Sequence, residues 1–423
     1  MRGAFAALAL GVVLATSACT PAPSTPTASA PQVTTANWDE AGPITYAAGK
    51  DPSGRVKKEI EEWNKQNPNE QVTFAELSDN ATEQRSQLAQ RLRARSGEYS
   101  VMLMDVVWTP EFVANGWLEE LSADTFSTQG YLSAAVDSAT YFDKLYAMPE
   151  SSDGALLFYR KDLLAKAGID EPPATFAAMK KICDKVLPDN PGMSCFGEQL
   201  DAYEGLTCNV AEAINSAGGR FLTPDGRPSV DTPEAVAGLQ WLVDSVKTGF
   251  IPKEALGWRE DATRQAFEKG RILFMRNWSG TAASIGSDSA VAGKYGTSPL
   301  PGVAGRGVST LGGHNFGISK FARNKRTAMR FINWMSSEDM QIARMKATSN
   351  APVLRAIYDD KKLRKQFSYL KDLGVAIEHA QPRPKAVKYD DVTQAIQDTA
   401  VAVLQRGKDV ETALQELQAK LES

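Results

Sequence analysis

Two histidines, His314 and His379, are the only imidazoles in the 423-residue chain, and they stand in unrelated loops. A two-histidine zinc site needs both together, so no metal is expected. There is no GxxxxGK[ST] phosphate loop and no GxGxxG after a strand, and no serine sits in a convincing strand–turn–helix elbow. An enzyme of these common kinds, and with it a cofactor, is therefore not expected. What the loops do carry is aromatic rings beside charged groups. Trp108 and Trp117 flank the end of VMLMD (101–105), Trp258, Glu260 and Asp261 precede a helical pattern, and Trp278 follows ILFMRN (272–277). Arg383 lies in QPRPK, where two prolines stiffen the backbone. Such a mixture suits a polyhydroxylated ligand: C–H faces pack on rings, and hydroxyls need acceptors and donors in fixed directions. A buried ligand group left without a partner costs roughly 1–3 kcal/mol. The competing reading places each Trp in a core and each carboxylate in water or at a helix cap.

The elements that must position these residues alternate. ITYAA (44–48), VTFAEL (72–77) and VMLMD (101–105) read as strands. Between them, Val56, Ile60 and Trp63 recur at helical spacing and are stopped by Pro68, and a second helix, capped by Asn80 or Thr82, runs to about Ser96 with Leu88 and Leu92 inward and Gly97 at its end. This βαβαβ order predicts a parallel sheet with ligands at the carboxyl ends of its strands, where Asp105 sits. A second unit begins near Tyr146, in which strand LLFYR (156–160) leads into a helix from about Lys161, with helical patterns at 174–187, 206–217, 232–248 and 260–269 and a buried strand at 272–277. FGIS (316–319) leads into a helix carrying Ala328, Phe331, Ile332 and Met335 on one face, and a last helix starts near Val410 with Leu414, Leu417 and Leu421 inward.

Length favours two lobes, and 43% hydrophobic with 23% charged residues fits a globular chain. A net charge of -4 with no basic block argues against nucleic acid. Met1–Arg2, the apolar run AFAALALGVVLA (4–15) and Ser17–Ala18 before Cys19 read as a lipoprotein signal (1–18), although Thr16 stands where Leu is usual. Residues 19–39, rich in Pro, Ser, Thr and Ala, read as a tether. The body is then expected outside the cytoplasmic membrane, held by lipid on Cys19, where disulfides are permitted. The short spacing favours Cys183–Cys195, with Cys208 a buried thiol, but sequence leaves the pairing open.

Ordered blocks then carry a resemblance. VMLMDVVWTPEFVANGWLEEL (101–121), LYAMPESSDGALLFYRKDLL (145–164), YEGLTCNVAEAINSAGG (203–219), RQAFEKGRILFMRNW (264–278), LGGHNFGISK (311–320) and QPRPKAVKYDDV (381–392) resemble the maltose/trehalose-type sugar-binding subunits of ABC importers. EQRSQLAQRL (83–92), MDVVW (104–108) and the Glu260…Asn277-Trp278 spacing resemble the trehalose-binding lipoproteins among them. The resemblance implies an α/β, two-lobe periplasmic-binding-protein-like fold of type II. Its lobes would be discontinuous, 40–146 with 300–348 and 147–299 with 349–423, joined by a three-segment hinge. It implies sugar contacts from Asp105, Asp153, Glu204 and Glu260, a stacking platform in Trp278, close backbone approach at Gly313 and a two-bond fork from Arg383. It implies a monomer that hands a disaccharide to permease subunits, with no enzymatic step. Two positions depart from the pattern: His314 replaces a Trp or bulky apolar residue, and Ser151 replaces a Tyr of some relatives. They leave open trehalose, maltose or a maltooligosaccharide, an amino sugar and a glycerophosphodiester. A glycoside hydrolase using two of Asp105, Asp153 and Glu260 is the alternative from another class.

Overall fold

The computed structural model describes residues 38–223 and 227–422; the expected signal, Cys19 and nearly all of the tether lie outside them. Strands β1 (Ile44–Ala48), β2 (Val72–Glu76) and β3 (Val101–Asp105) are parallel neighbours, as their alternation with helices requires. Helix Arg55–Gln66 buries Val56, Ile60 and Trp63. Helix Ala81–Arg93 starts where the Asn80 side chain accepts from the Thr82 and Glu83 N–H groups. It stops at Arg93 rather than near Ser96, because Arg95 takes a left-handed conformation. A two-stranded hairpin, β4 (Thr140–Tyr141) with β5 (Lys144–Leu145), follows.

Strand β6 (Ala147–Gly154) overturns one expectation. Its sequence AMPESSDG shows no apolar alternation and was expected beyond a crossing near 146, in the second lobe. Instead it pairs antiparallel with β11 (Leu311–Ile318), and β11 pairs antiparallel with β3, giving one five-stranded sheet in the order β2-β1-β3-β11-β6. Its polar side chains meet a polar cleft rather than an apolar layer, so period-2 hydrophobicity is missing. The chain leaves this sheet only at Ala155, between β6 and β7 (Leu156–Arg160). β11 itself starts at Leu311, earlier than FGIS, and so carries Gly312, Gly313 and His314 within the sheet.

The second sheet orders β10-β7-β9-β8, where β8 is Ser194–Gly197, β9 is Ile272–Asn277 and β10 is Tyr295–Pro299. All six residues of β9 are buried, as a central strand covered by helices on both faces demands. One hydrophobic core surrounds this sheet, and two others cover the two faces of the first sheet. Tyr46 and Ala47 show the alternation: the ring packs with Trp63, Phe316 and Phe331, whereas the methyl packs with Leu88, Met102 and Met104. Cys183, in helix Phe176–Val186, is bonded to Cys195 of β8 with Cα atoms 5.5 Å apart. Cys208 is a buried free thiol, pushed up to about 12 by burial. Among the described residues no helix is long and apolar enough to cross a membrane.

Candidate ligand-binding cleft

A cavity of about 740 Å³ is walled by β3, β6 and β11 of the first sheet and by helices and loops packed on the second, and all seven residues that the resemblance implies as sugar contacts line it. Asp105 ends β3, and Glu204 opens helix Glu204–Ser216, where the helix dipole favours a carboxylate. Arg383, 2% exposed, joins them. Its Nη1 donates to Asp105 Oδ2 at 3.1 Å and to Glu204 Oε1 at 2.6 Å, and its Nη2 donates to Asp105 Oδ1 at 2.6 Å. The fork expected to face the ligand therefore faces two carboxylates, since two buried anions need a cation between them. Of five guanidinium N–H groups, three are engaged; among the described residues one on Nη2 has no protein acceptor, and the buried Nε is also without one. Burial, and then the nearby Asp105 charge, raise the pKa of Glu204 against the pull of Arg383. Thr393 Oγ1 donates to Glu204 Oε2 at 2.8 Å, and the Tyr389 hydroxyl donates to Oε1.

Two strands from Asp105 in the same sheet, Asp153 on β6 accepts from the Gly154 N–H at 2.9 Å, and burial raises its carboxyl to about 6 despite hydrogen bonds from Ser279. Trp278 follows β9. The guanidinium of Arg276, 1% exposed, lies 4.0 Å from the Trp278 ring centroid and is held by Glu212 at 2.8 and 2.6 Å. Arg276 does not line the cavity and Trp278 does, so the cation backs the ring from inside. Gly312 makes room for that ring: an added Cβ would stand 2.7 Å from Trp278 Cζ3. Gly313 is required by the pairing of β6 with β11. Its φ is +111°, and a Cβ would meet the Ser151 carbonyl oxygen at 2.2 Å, so β6 and β11 can pair only over a glycine. Asn277 Nδ2 donates to the Glu260 carbonyl at 3.1 Å, tying the end of β9 to helix Glu260–Glu268.

Residues 49–342 match the family described as bacterial extracellular solute-binding protein. The chain belongs to that family. The solute-binding protein is 29% identical to a probable ABC transporter-binding protein of Deinococcus radiodurans over 391 residues, covering 89% of this chain and 92% of that one. It is 24% identical to a maltotriose-binding protein of Pyrococcus abyssi, over 74% of this chain and 68% of that one. Among solved structures, maltose-bound MalE3 of T. maritima superposes with a TM-score of 0.85 at 32% identity, covering 90% of this chain and 99% of that one. The fold is thus the two-lobe α/β fold of periplasmic binding proteins, and the relatives are solute-binding proteins rather than enzymes.

Not every ring expected at the site reaches it. In the solute-binding protein Trp108, Trp117 and Trp258 are 2%, 5% and 8% exposed, packed in cores, and Trp108 stacks on Phe112. Tyr203 takes up a ring position instead, as the cleft residue preceding Glu204. Its buried hydroxyl lies near Glu260 without closing a hydrogen bond. An aromatic next to a candidate carboxylate was the available signal. Glu150, on β6, was also missed. Burial would raise its pKa, but the Arg344 and Arg55 charges hold it below its usual value, and Asn350 donates to it at 3.0 Å. The two departures from the family pattern have distinct settings. The Ser151 hydroxyl accepts from the His314 N–H at 3.0 Å, whereas the His314 side chain is exposed at the cleft. Eight Asp or Glu side chains and three Arg line the cavity, so its walls are acidic.

Proposed function

We propose that this solute-binding protein captures a neutral α-linked glucose disaccharide, trehalose, between its lobes and delivers it to the permease of an ABC importer. It acts as a monomer, tethered by lipid on Cys19 at the outer face of the cytoplasmic membrane. The two lobes divide near residues 155, 300 and 349 and close about these crossings. One observation carries the reading: a ring backed by a buried cation faces the same cleft as Asp105, Asp153, Glu204 and Glu260. Trp278 packs against the C–H face of one glucose. The carboxylates accept from hydroxyls, and the two uncommitted N–H groups of Arg383 donate to sugar oxygens. Acidic walls disfavour a glycerophosphodiester, whose phosphate would be repelled.

Maltose is the second reading, favoured by the maltose in the T. maritima structure at 32% identity. A hydrolase reading is weakened by the Arg383–Asp105 ion pair, which makes Asp105 a poor base or nucleophile. Calorimetry of the mature protein against trehalose, maltose, sucrose, glucosamine and glycerophosphocholine tests the proposal. Trehalose is expected to bind tightly, with no glucose released on long incubation. Heat from the phosphodiester alone, or turnover of any disaccharide, overturns it.

A further inference from the structure

The helix Tyr389–Arg406 belongs to both lobes. Its body sends Ile396, Ala400 and Val403 into the core around the second sheet. Its first residue, Tyr389, fully buried, packs instead with Met104, Val107, Trp108 and Ala139 against the first sheet. From that pocket the Tyr389 hydroxyl donates to Glu204, which opens a helix packed on the second sheet. The next residue, Asp390, half-exposed, forms an ion pair with Arg85 Nη1 at 2.7 Å. Arg85, 5% exposed, stands on helix Ala81–Arg93 of the first lobe and is fixed bidentately by Glu111 at 2.9 and 2.6 Å. The guanidinium, buried and doubly held, is a fixed docking point for the half-exposed Asp390 carboxylate. None of Tyr389, Asp390 and Arg85 lines the cavity. Arg383, which bridges Asp105 and Glu204, sits on the strand of chain leading into this helix, and Lys385 between them donates to the Asp137 carbonyl at 2.8 Å.

We propose that Tyr389, Asp390 and Arg85 are positioning residues for the ligand site. The Arg85–Asp390 pair clasps the first turn of the helix to the first lobe. The clasped turn holds Tyr389 against Glu204, and Glu204 with Arg383 and Asp105 is thereby kept in register across the cleft. Ligand affinity and lobe closure are set in part from outside the cleft. The inference rests on the cleft being the ligand site for its affinity arm, but not for its conformational arm.

The test uses Asp390→Asn, which keeps shape and removes the charge, and Tyr389→Phe, which keeps the ring in its pocket and removes the hydroxyl. Pulsed spin-label distances between the lobes, measured without sugar, are expected to broaden toward longer separations in Asp390→Asn. Trehalose affinity is expected to fall about tenfold in Tyr389→Phe, the usual effect of losing a hydrogen bond to a charged group. A double-mutant cycle of Tyr389→Phe with Glu204→Gln is expected to be non-additive, which a general loss of packing does not produce. Wild-type distances in Asp390→Asn, or full additivity in the cycle, overturn the proposal. If the wild type binds none of the sugars, the trehalose reading fails by itself, and the sugar-free distances still decide on the clasp.

Discussion

Replacing Arg383 with Met keeps much of the side-chain length and removes the cation that bridges Asp105 and Glu204. Both carboxylates are then left facing each other in a site where Arg383 was 2% exposed. Removing one partner of a buried ion pair costs about 3–5 kcal/mol. A folded body of roughly 380 residues, at about 2.1 cal/mol/K each, loses about 4–6 °C in Tm for that cost. The pH dependence separates this mechanism from lost packing. Glu204 already has a raised pKa through burial, and losing Arg383 raises it further. A carboxyl whose folded pKa lies above its unfolded value binds its proton more tightly when folded. Its contribution is therefore fully present below the unfolded pKa and is lost as pH rises through the folded one. The Tm deficit of Arg383→Met is expected to be largest at pH 7–8 and to shrink toward pH 4, followed by scanning calorimetry across that range. Trehalose affinity at neutral pH is expected to fall at least tenfold, since Asp105 and Glu204 lose their fixed orientation. A deficit that does not change with pH, or one below about 1 kcal/mol, refutes the argument.

Trp278→Ala is expected to lower trehalose affinity about tenfold or more, by loss of the stacking surface and its area, with a Tm close to wild type; titration calorimetry and a melt check both. Asp153→Asn removes a group whose folded pKa, about 6, lies above its ordinary value, because burial penalises the charge. Wild type is expected to gain stability relative to this variant as pH falls from 7 toward 4, the direction of a raised carboxyl, read by paired melts. Reducing the Cys183–Cys195 bond, which closes a loop with a sequence separation of 12, is expected to cost about 2–4 kcal/mol, measured by denaturation with and without reductant.

Periodicity made the first three strands and their helices legible, because each buries an apolar stripe or both faces of a strand. Asp105 was legible for a related reason, since it ends a strand of a parallel sheet, where ligands gather; Glu204 came only from the resemblance, because the helical pattern begins after it. β6 was not legible, since AMPESSDG faces a polar cleft and β11, a partner far along the chain. The tryptophans show the same limit. Trp108 and Trp117 stand beside the site in sequence, yet their rings turn into the core with Phe112, whereas Trp278 is held outward by Arg276 beneath and Gly312 beside it. The side-chain direction depended on neighbours that local spacing does not name. Arg383 was found by type and position, but its partners were not, because its charge balance involves two carboxylates from different lobes.

The segment bearing Arg383 comes from the last tenth of the chain, whereas the acidic groups it neutralises come from the first quarter and the middle. A chain whose last segment has not docked therefore lacks the Arg383 bridge between Asp105 and Glu204. If the cleft is the ligand site as proposed, capture of solute waits for the carboxyl-terminal portion to dock, and a copy truncated before Arg383 is expected to hold none.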